Sequence, residues 1–183
     1  GTAQYVPIDE AHPLEAQSPY AATKIGADQI ALSFYRSFDT PVSIIRPFNT
    51  YGPRQSARAI IPSVIIQILK GRKELRLGNI KPTRDFNYIK DTVQGFIKIA
   101  ESDTSSGEIF NIGAGLEVSI RKIAHKITEI MQRDIKIVND EKRIRPEKSE
   151  VFQLFSDISK AKSLINYNPK YSIERGLTET IDW

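Results

Sequence analysis

The chain has 183 residues, 40% of them hydrophobic and 26% charged, with a formal net charge of +4 and no cysteine. That length allows one domain with a substantial core, and the missing cysteines exclude a disulfide framework, a CxxC zinc site and a thiol nucleophile. The basic residues are dispersed, without a run or an aromatic-interleaved patch, so no nucleic-acid partner is expected.

Two histidines, His12 and His125, leave little material for a metal site, and none is expected. The longest apolar run, residues 59–69, is too short for a bilayer and contains Pro62, so no membrane partner and a cytoplasmic location are expected. Residues 1–17 read as a loop punctuated by Pro7 and Pro13. Ser18 is then a good N-cap and Pro19 a good first helical residue, predicting a helix to about Phe38. Ala27, Ile30, Ala31, Phe34 and Phe38 recur at helical spacing, which predicts an inward apolar stripe. Tyr20 and Lys24 fall on its N-terminal continuation, one turn apart, and are expected to point inward with it.

Residues 42–46 form a β-branched run between prolines, predicting a buried parallel strand, and residues 48–54 leave its carboxyl end as a ligand loop. A helix is predicted over 59–69, a short strand over 75–77, and alternation over 84–89. Asp91 is expected to cap a helix to about Glu101, followed by a strand over 108–112. Ser119 caps an amphipathic helix carrying Ile120, Ile123, Ala124 and Ile127, and 135–138 is a further strand. Residues 140–150 are a charged stretch containing Arg143 and Arg145; Asp157 and Ser172 open the last two helices. Helix and strand alternate as in an α/β doubly wound sheet, whose binding crevice lies at the carboxyl ends of strands.

The Tyr20-x-x-x-Lys24 pair suits redox acid/base chemistry, because a fixed ammonium beside a phenol favours the phenolate that can take a proton from a sugar hydroxyl. About half such a pair would arise by chance in this composition, so its context decides. That context is Ser18-Pro19-Tyr20 through Lys24, then Arg46-Pro47-Phe48-Asn49-Thr50-Tyr51-Gly52-Pro53-Arg54-Gln55. Thr83-Arg84-Asp85-Phe86-Asn87-Tyr88, Phe110-Asn111-Ile112-Gly113 and Arg145-Pro146 come after these in order. Together these motifs resemble the extended short-chain dehydrogenase/reductase family, specifically its nucleotide-sugar epimerases and dehydratases, over nearly the whole chain.

The resemblance implies the C-terminal part of a doubly wound Rossmann-type parallel sheet plus a small α/β substrate-binding region. Residues 1–56 would end the Rossmann domain, and 57–183 would form mostly the substrate region, with 91–113 returning to the sheet. It implies NAD as cofactor, with Tyr20 taking the proton from the sugar O4 and Lys24 also binding the nicotinamide ribose. A nucleotide-diphosphate sugar is the implied substrate, met by Asn49 and by the arginines Arg58, Arg84 and Arg145, since guanidinium groups clamp phosphate bidentately. Ala59 stands where some related dehydratases have a Lys, and Arg143 competes with Arg145 for its role.

A glycine-rich dinucleotide turn is absent: Gly113-Ala114-Gly115 follows a strand, but no third glycine opens the next helix. The chain is therefore expected to be a fragment whose N-terminal dinucleotide-binding half is missing, together with the upstream Ser/Thr and Asp-Glu positions of the family. The expected parent activity is an NAD-dependent nucleotide-sugar 4,6-dehydratase, with a 4-epimerase as the alternative. Residues 49–62 look closest to the N-acetylglucosamine-nucleotide dehydratases of legionaminic-acid-type pathways. A reading from another class is a nucleotide-sugar-binding fragment without turnover when isolated. The resemblance also implies a homodimer built on the Tyr-Lys helix and a second helix from the missing half, which leaves dimerisation of the fragment itself open.

Overall fold

Ser18 accepts a hydrogen bond from the Ala21 N–H at 3.1 Å and, with Pro19 behind it, starts the longest helix, α1 (Pro19–Phe38). The computed structural model describes residues 2–143 and 151–183. After α1 come β1 (Ile44–Pro47), β2 (Asn49–Tyr51), α2 (Ile60–Leu69), β3 (Glu74–Leu77), β4 (Thr83–Arg84) and β5 (Phe86–Tyr88). The chain continues as α3 (Ile89–Ala100), β6 (Ile109–Ile112), β7 (Val118–Ser119), α4 (Ile120–Ile130) and β8 (Lys136–Asn139). It closes with β9 (Gln153–Leu154), α5 (Ser159–Ile165) and α6 (Ile173–Asp182).

Pairing is predominantly parallel, as helix-linked strands require. β1 pairs β6 with Ile44 opposite Ile109, β2 pairs β5, and β3 pairs β8. β4 lies between antiparallel β7 and parallel β9. The larger core gathers Ile61 and Val64 of α2, Leu75 and Leu77 of β3, Ile123 and Ile127 of α4, and Leu177 of α6. The α4 stripe is thus buried as its periodicity predicts. A smaller cluster of Phe110, Ile112, Ile158, Ala161 and Tyr167 lies behind β6. Among the described residues no helix is long and apolar enough to cross a membrane.

Two expectations fail. The α1 stripe does not face the core: Ile30, Phe34 and Phe38 are exposed, and Tyr20 is 71% exposed. The packed face is instead Ala21, Ile25, Asp28, Leu32 and Tyr35, which recur at the same helical period. Two stripes compete on this helix, and the less apolar one wins because Asp28 finds Arg46 on β1 while Tyr35 lies where any side chain at Gly107 would stand. Asp91 also does not cap α3, whose N-cap is Tyr88. Its carboxylate accepts the Lys170 and Tyr171 N–H groups, both at 2.9 Å, and so anchors the approach to α6.

Candidate active site

The carboxyl end of β1, the first turns of α1 and the loop before it surround a cleft of about 730 Å³. Tyr20, Lys24, Asn49, Arg46, Asp28 and Asn111 all border it. Three of the residues singled out from the sequence, Tyr20, Lys24 and Asn49, are therefore brought together on one cleft. Tyr20 stands at its mouth rather than in the interior. The Lys24 ammonium lies 5.6 Å from the centroid of the Tyr20 ring and makes no ion pair among the described residues. A phenol and an unpaired cation on adjacent turns, open to a cleft, are the elements of a proton-transfer site.

The loop wall is held by directed hydrogen bonds. The Thr2 N–H donates to Gln17 Oε1 at 2.9 Å, and the Gln4 N–H donates to His12 Nε2 at 3.0 Å. His12 therefore keeps its proton on Nδ1, which donates to the Pro13 carbonyl at 2.9 Å. Beneath the loop, the Asn111 N–H donates to Glu10 Oε1 at 2.7 Å and its amide Nδ2 donates to the Ile8 carbonyl at 3.0 Å. Arg46 Nε donates to Asp28 Oδ2 at 2.9 Å, and its Nη1 to the Glu10 carbonyl at 3.3 Å. One polar chain thus runs from α1 through β1 and the loop to β6.

Asn49 begins β2 with its side chain exposed, while the next residue is tied inward. Thr50 Oγ1 meets Thr92 Oγ1 at 3.0 Å, and buried Asn87 donates to Thr92 Oγ1 at 2.9 Å and to the Tyr167 hydroxyl at 3.1 Å. Burial pushes the Tyr167 phenol well above its ordinary range, so it stays protonated and donates to the Gly113 carbonyl at 3.1 Å. This network fixes the strand that presents Asn49.

The arginines are more scattered. Arg84 is buried on β4, its Nη1 donating to the Thr83 carbonyl at 2.7 Å, and it does not border the cleft. Arg58 is exposed on the turn before α2, also outside the lining. Arg145 lies outside the described residues.

The turn Gly113-Ala114-Gly115 is already occupied from within. Asp85, fully buried, accepts the Ala114 N–H at 2.9 Å, the Gly115 N–H at 3.1 Å, and both the N–H and the hydroxyl of Ser156. Burial pushes the Asp85 carboxyl up, and the hydrogen bonds from Ser156, Ala114 and Gly115 pull it part of the way back. A side chain at Gly113 would collide with Asp85 and Ser156, so glycine is required there for close packing.

Sequence reasoning missed Asp28, Arg46, Asn111 and His12 as parts of the site. Arg46 and Asn111 lie within the quoted motifs, and Asp28 falls one turn after Lys24. Their pairing across 18 or more residues has no periodic signal.

Comparison with known proteins agrees with this architecture. The family model described as GDP-mannose 4,6 dehydratase matches residues 1–180. A UDP-glucuronate 4-epimerase of Thermodesulfobacterium geofontis is 35% identical over 167 residues, covering 91% of this chain and 50% of the relative. The human dTDP-D-glucose 4,6-dehydratase is 30% identical, covering 96% of this chain and 51% of its own. The structure of a Bacillus cereus UDP-glucuronic acid 4-epimerase, in complex with UDP-glucuronic acid and NAD, superposes with a TM-score of 0.87 at 30% identity. That superposition covers 96% of this chain and 55% of the epimerase. The chain therefore spans about half the length of the relatives it matches. On its motifs, its parallel α/β fold and these matches, the chain belongs to the GDP-mannose 4,6-dehydratase family of extended short-chain dehydrogenases/reductases.

Proposed function

We propose that this chain is the catalytic and sugar-facing half of an NAD-dependent nucleotide-sugar 4,6-dehydratase. The observation that carries the reading is the Tyr20–Lys24 pair on a cleft bordered by Asn49. The nicotinamide end of NAD fits here because Lys24 is a cleft cation without an ion pair among the described residues, and its ammonium would donate to a ribose hydroxyl. When bound, NAD supplies the acceptor for the C4 hydrogen and returns it later. Tyr20 takes the proton of the sugar C4 hydroxyl as that carbon is oxidised, and Lys24 stabilises the phenolate. Water is then lost across C5 and C6 before reduction completes the cycle.

Asn49 is proposed to hold the sugar, with Arg58, Arg84 and Arg145 as the diphosphate candidates that the family resemblance supplies. The family resemblance implies an adenosine site on a dinucleotide-binding half outside these residues, so the isolated chain is proposed to bind nucleotide sugar without turnover. A 4-epimerase is the second reading, favoured by the 35% identity to a UDP-glucuronate 4-epimerase.

The test is turnover of the full-length gene product with NAD and a panel of dTDP-glucose, UDP-glucuronate, and UDP- and GDP-N-acetylglucosamine, read by mass spectrometry. Loss of about 18 Da, the water expelled by elimination, supports the dehydratase. Unchanged mass with inversion at C4 replaces it by the epimerase. No conversion of any of the four overturns the enzymatic reading.

A further inference from the structure

Lys24 and Asp28 stand four residues apart on α1, the spacing at which opposite charges pair along a helix. They do not pair. The Asp28 carboxylate is held by Arg46 at 2.9 Å, in a pair whose side chains are only 21% and 22% exposed. The second arm of Arg46 reaches the Glu10 carbonyl at 3.3 Å. Its fork is thereby fixed from two directions, by a helix and by the cleft loop, which a single flexible ammonium cannot match. Lys24 is left over the Tyr20 ring.

We propose that Arg46 is a positioning residue that acts on Lys24 through Asp28: it occupies the carboxylate that would otherwise draw the ammonium away from Tyr20. The inference rests on the acid/base reading of Tyr20 and Lys24 given above. Freed of Arg46, Asp28 would be a half-buried carboxylate without a counter-cation at the helical spacing that lets opposite charges pair, one turn from Lys24. Arg46 therefore does two things at once. It ties α1 to β1, and it removes the competitor for the catalytic cation. A simple tether and a charge partition respond differently when Asp28 is neutralised.

The experiment compares Arg46→Gln, Asp28→Asn and the double variant in the full-length protein, with Tyr20→Phe as control. The glutamine amide ends where Arg46 Nε stands, so it gives up the Glu10 contact and leaves the charged Asp28 without a counter-cation. With the nucleotide sugar turned over by the wild type, Arg46→Gln is expected to lower kcat about tenfold with KM within about threefold. The double variant recovers most of that loss, because the sink for Lys24 is gone. Asp28→Asn alone, an isosteric change at a partly exposed position, is expected to be about tenfold faster than Arg46→Gln. Equal slowness of the single and double variants, or of Asp28→Asn and Arg46→Gln, overturns the proposal in favour of a tether. A rise in KM with kcat held overturns it in favour of substrate contact.

A crystal structure of Arg46→Gln gives a readout independent of turnover. Lys24 Nζ within about 4 Å of the Asp28 carboxylate supports the proposal, and Lys24 still over the Tyr20 ring overturns it. Should Arg46→Gln not fold, the Asp28→Asn kinetics decide: a kcat about tenfold below wild type contradicts the partition. Should Tyr20→Phe keep full turnover, the acid/base reading falls, while the position of Lys24 in the crystal still judges the partition.

Discussion

Helix α4 buries Ile123, Ala124, Ile127 and Thr128 within eleven residues, whereas α1 buries only Leu32 in twenty. The two helices belong to differently built regions. Around α4, α2, β3 and α6, apolar side chains from every element converge on one core. Around α1 and the loop before it, position is set by caps, an ion pair to β1 and single hydrogen bonds. The candidate catalytic residues therefore sit on the region whose geometry depends on few, directional contacts. Such a region can be displaced without unfolding the chain, because most hydrophobic stabilisation lies elsewhere.

That contrast is open to direct attack. Ile127→Ala removes a fully buried side chain from the larger core and is expected to cost about 2–5 kcal/mol in urea unfolding. A cost under about 1 kcal/mol would show that this region is not the core it is taken to be.

Asp85→Asn strikes the junction between the regions, since the carboxylate joins the turn after β6 to Ser156. An amide offers one acceptor oxygen in place of two, so a loss of about 1–3 kcal/mol is expected. Because burial raises the folded carboxyl, its contribution is fully present below the unfolded carboxylate range and is lost as pH rises through the folded value. The penalty of Asp85→Asn should accordingly narrow as pH rises through that window; a penalty that grows would reverse the sign assigned here.

Phe34→Ser is expected to change the stability of the chain by no more than about 0.5 kcal/mol, because Phe34 is half exposed and its neighbours Ile30 and Phe38 more so. A loss approaching that of Ile127→Ala would erase the contrast.

Much of this organisation is legible in the sequence. The caps at Ser18, Ser119 and Ser172 are where the sequence predicts, each accepting a backbone N–H from its helix. The α4 stripe is buried as its spacing implies. The α1 stripe misleads because apolar periodicity marks a face suited to cover without saying that this chain provides it. The true packing face carries Asp28, which looks solvent-facing until Arg46 is brought beside it by the β1–β6 ladder. Asp91 and Asp85 are likewise ordinary acids in the sequence; only the fold shows that each collects backbone N–H groups from distant segments. Arg84 shows the converse, a phosphate candidate by motif that the fold buries away from the cleft.

The decisive variant is Tyr20→Phe in the full-length protein, assayed with NAD and the nucleotide sugar it converts, beside calorimetric binding of that sugar. The proton-transfer role proposed for Tyr20 predicts that kcat falls by about 10²–10⁴-fold while sugar binding changes little, because the hydroxyl would act on a proton in the transition state. Turnover retained within a few-fold of wild type would contradict the assignment of Tyr20 and, with it, the reading of the cleft as an active site.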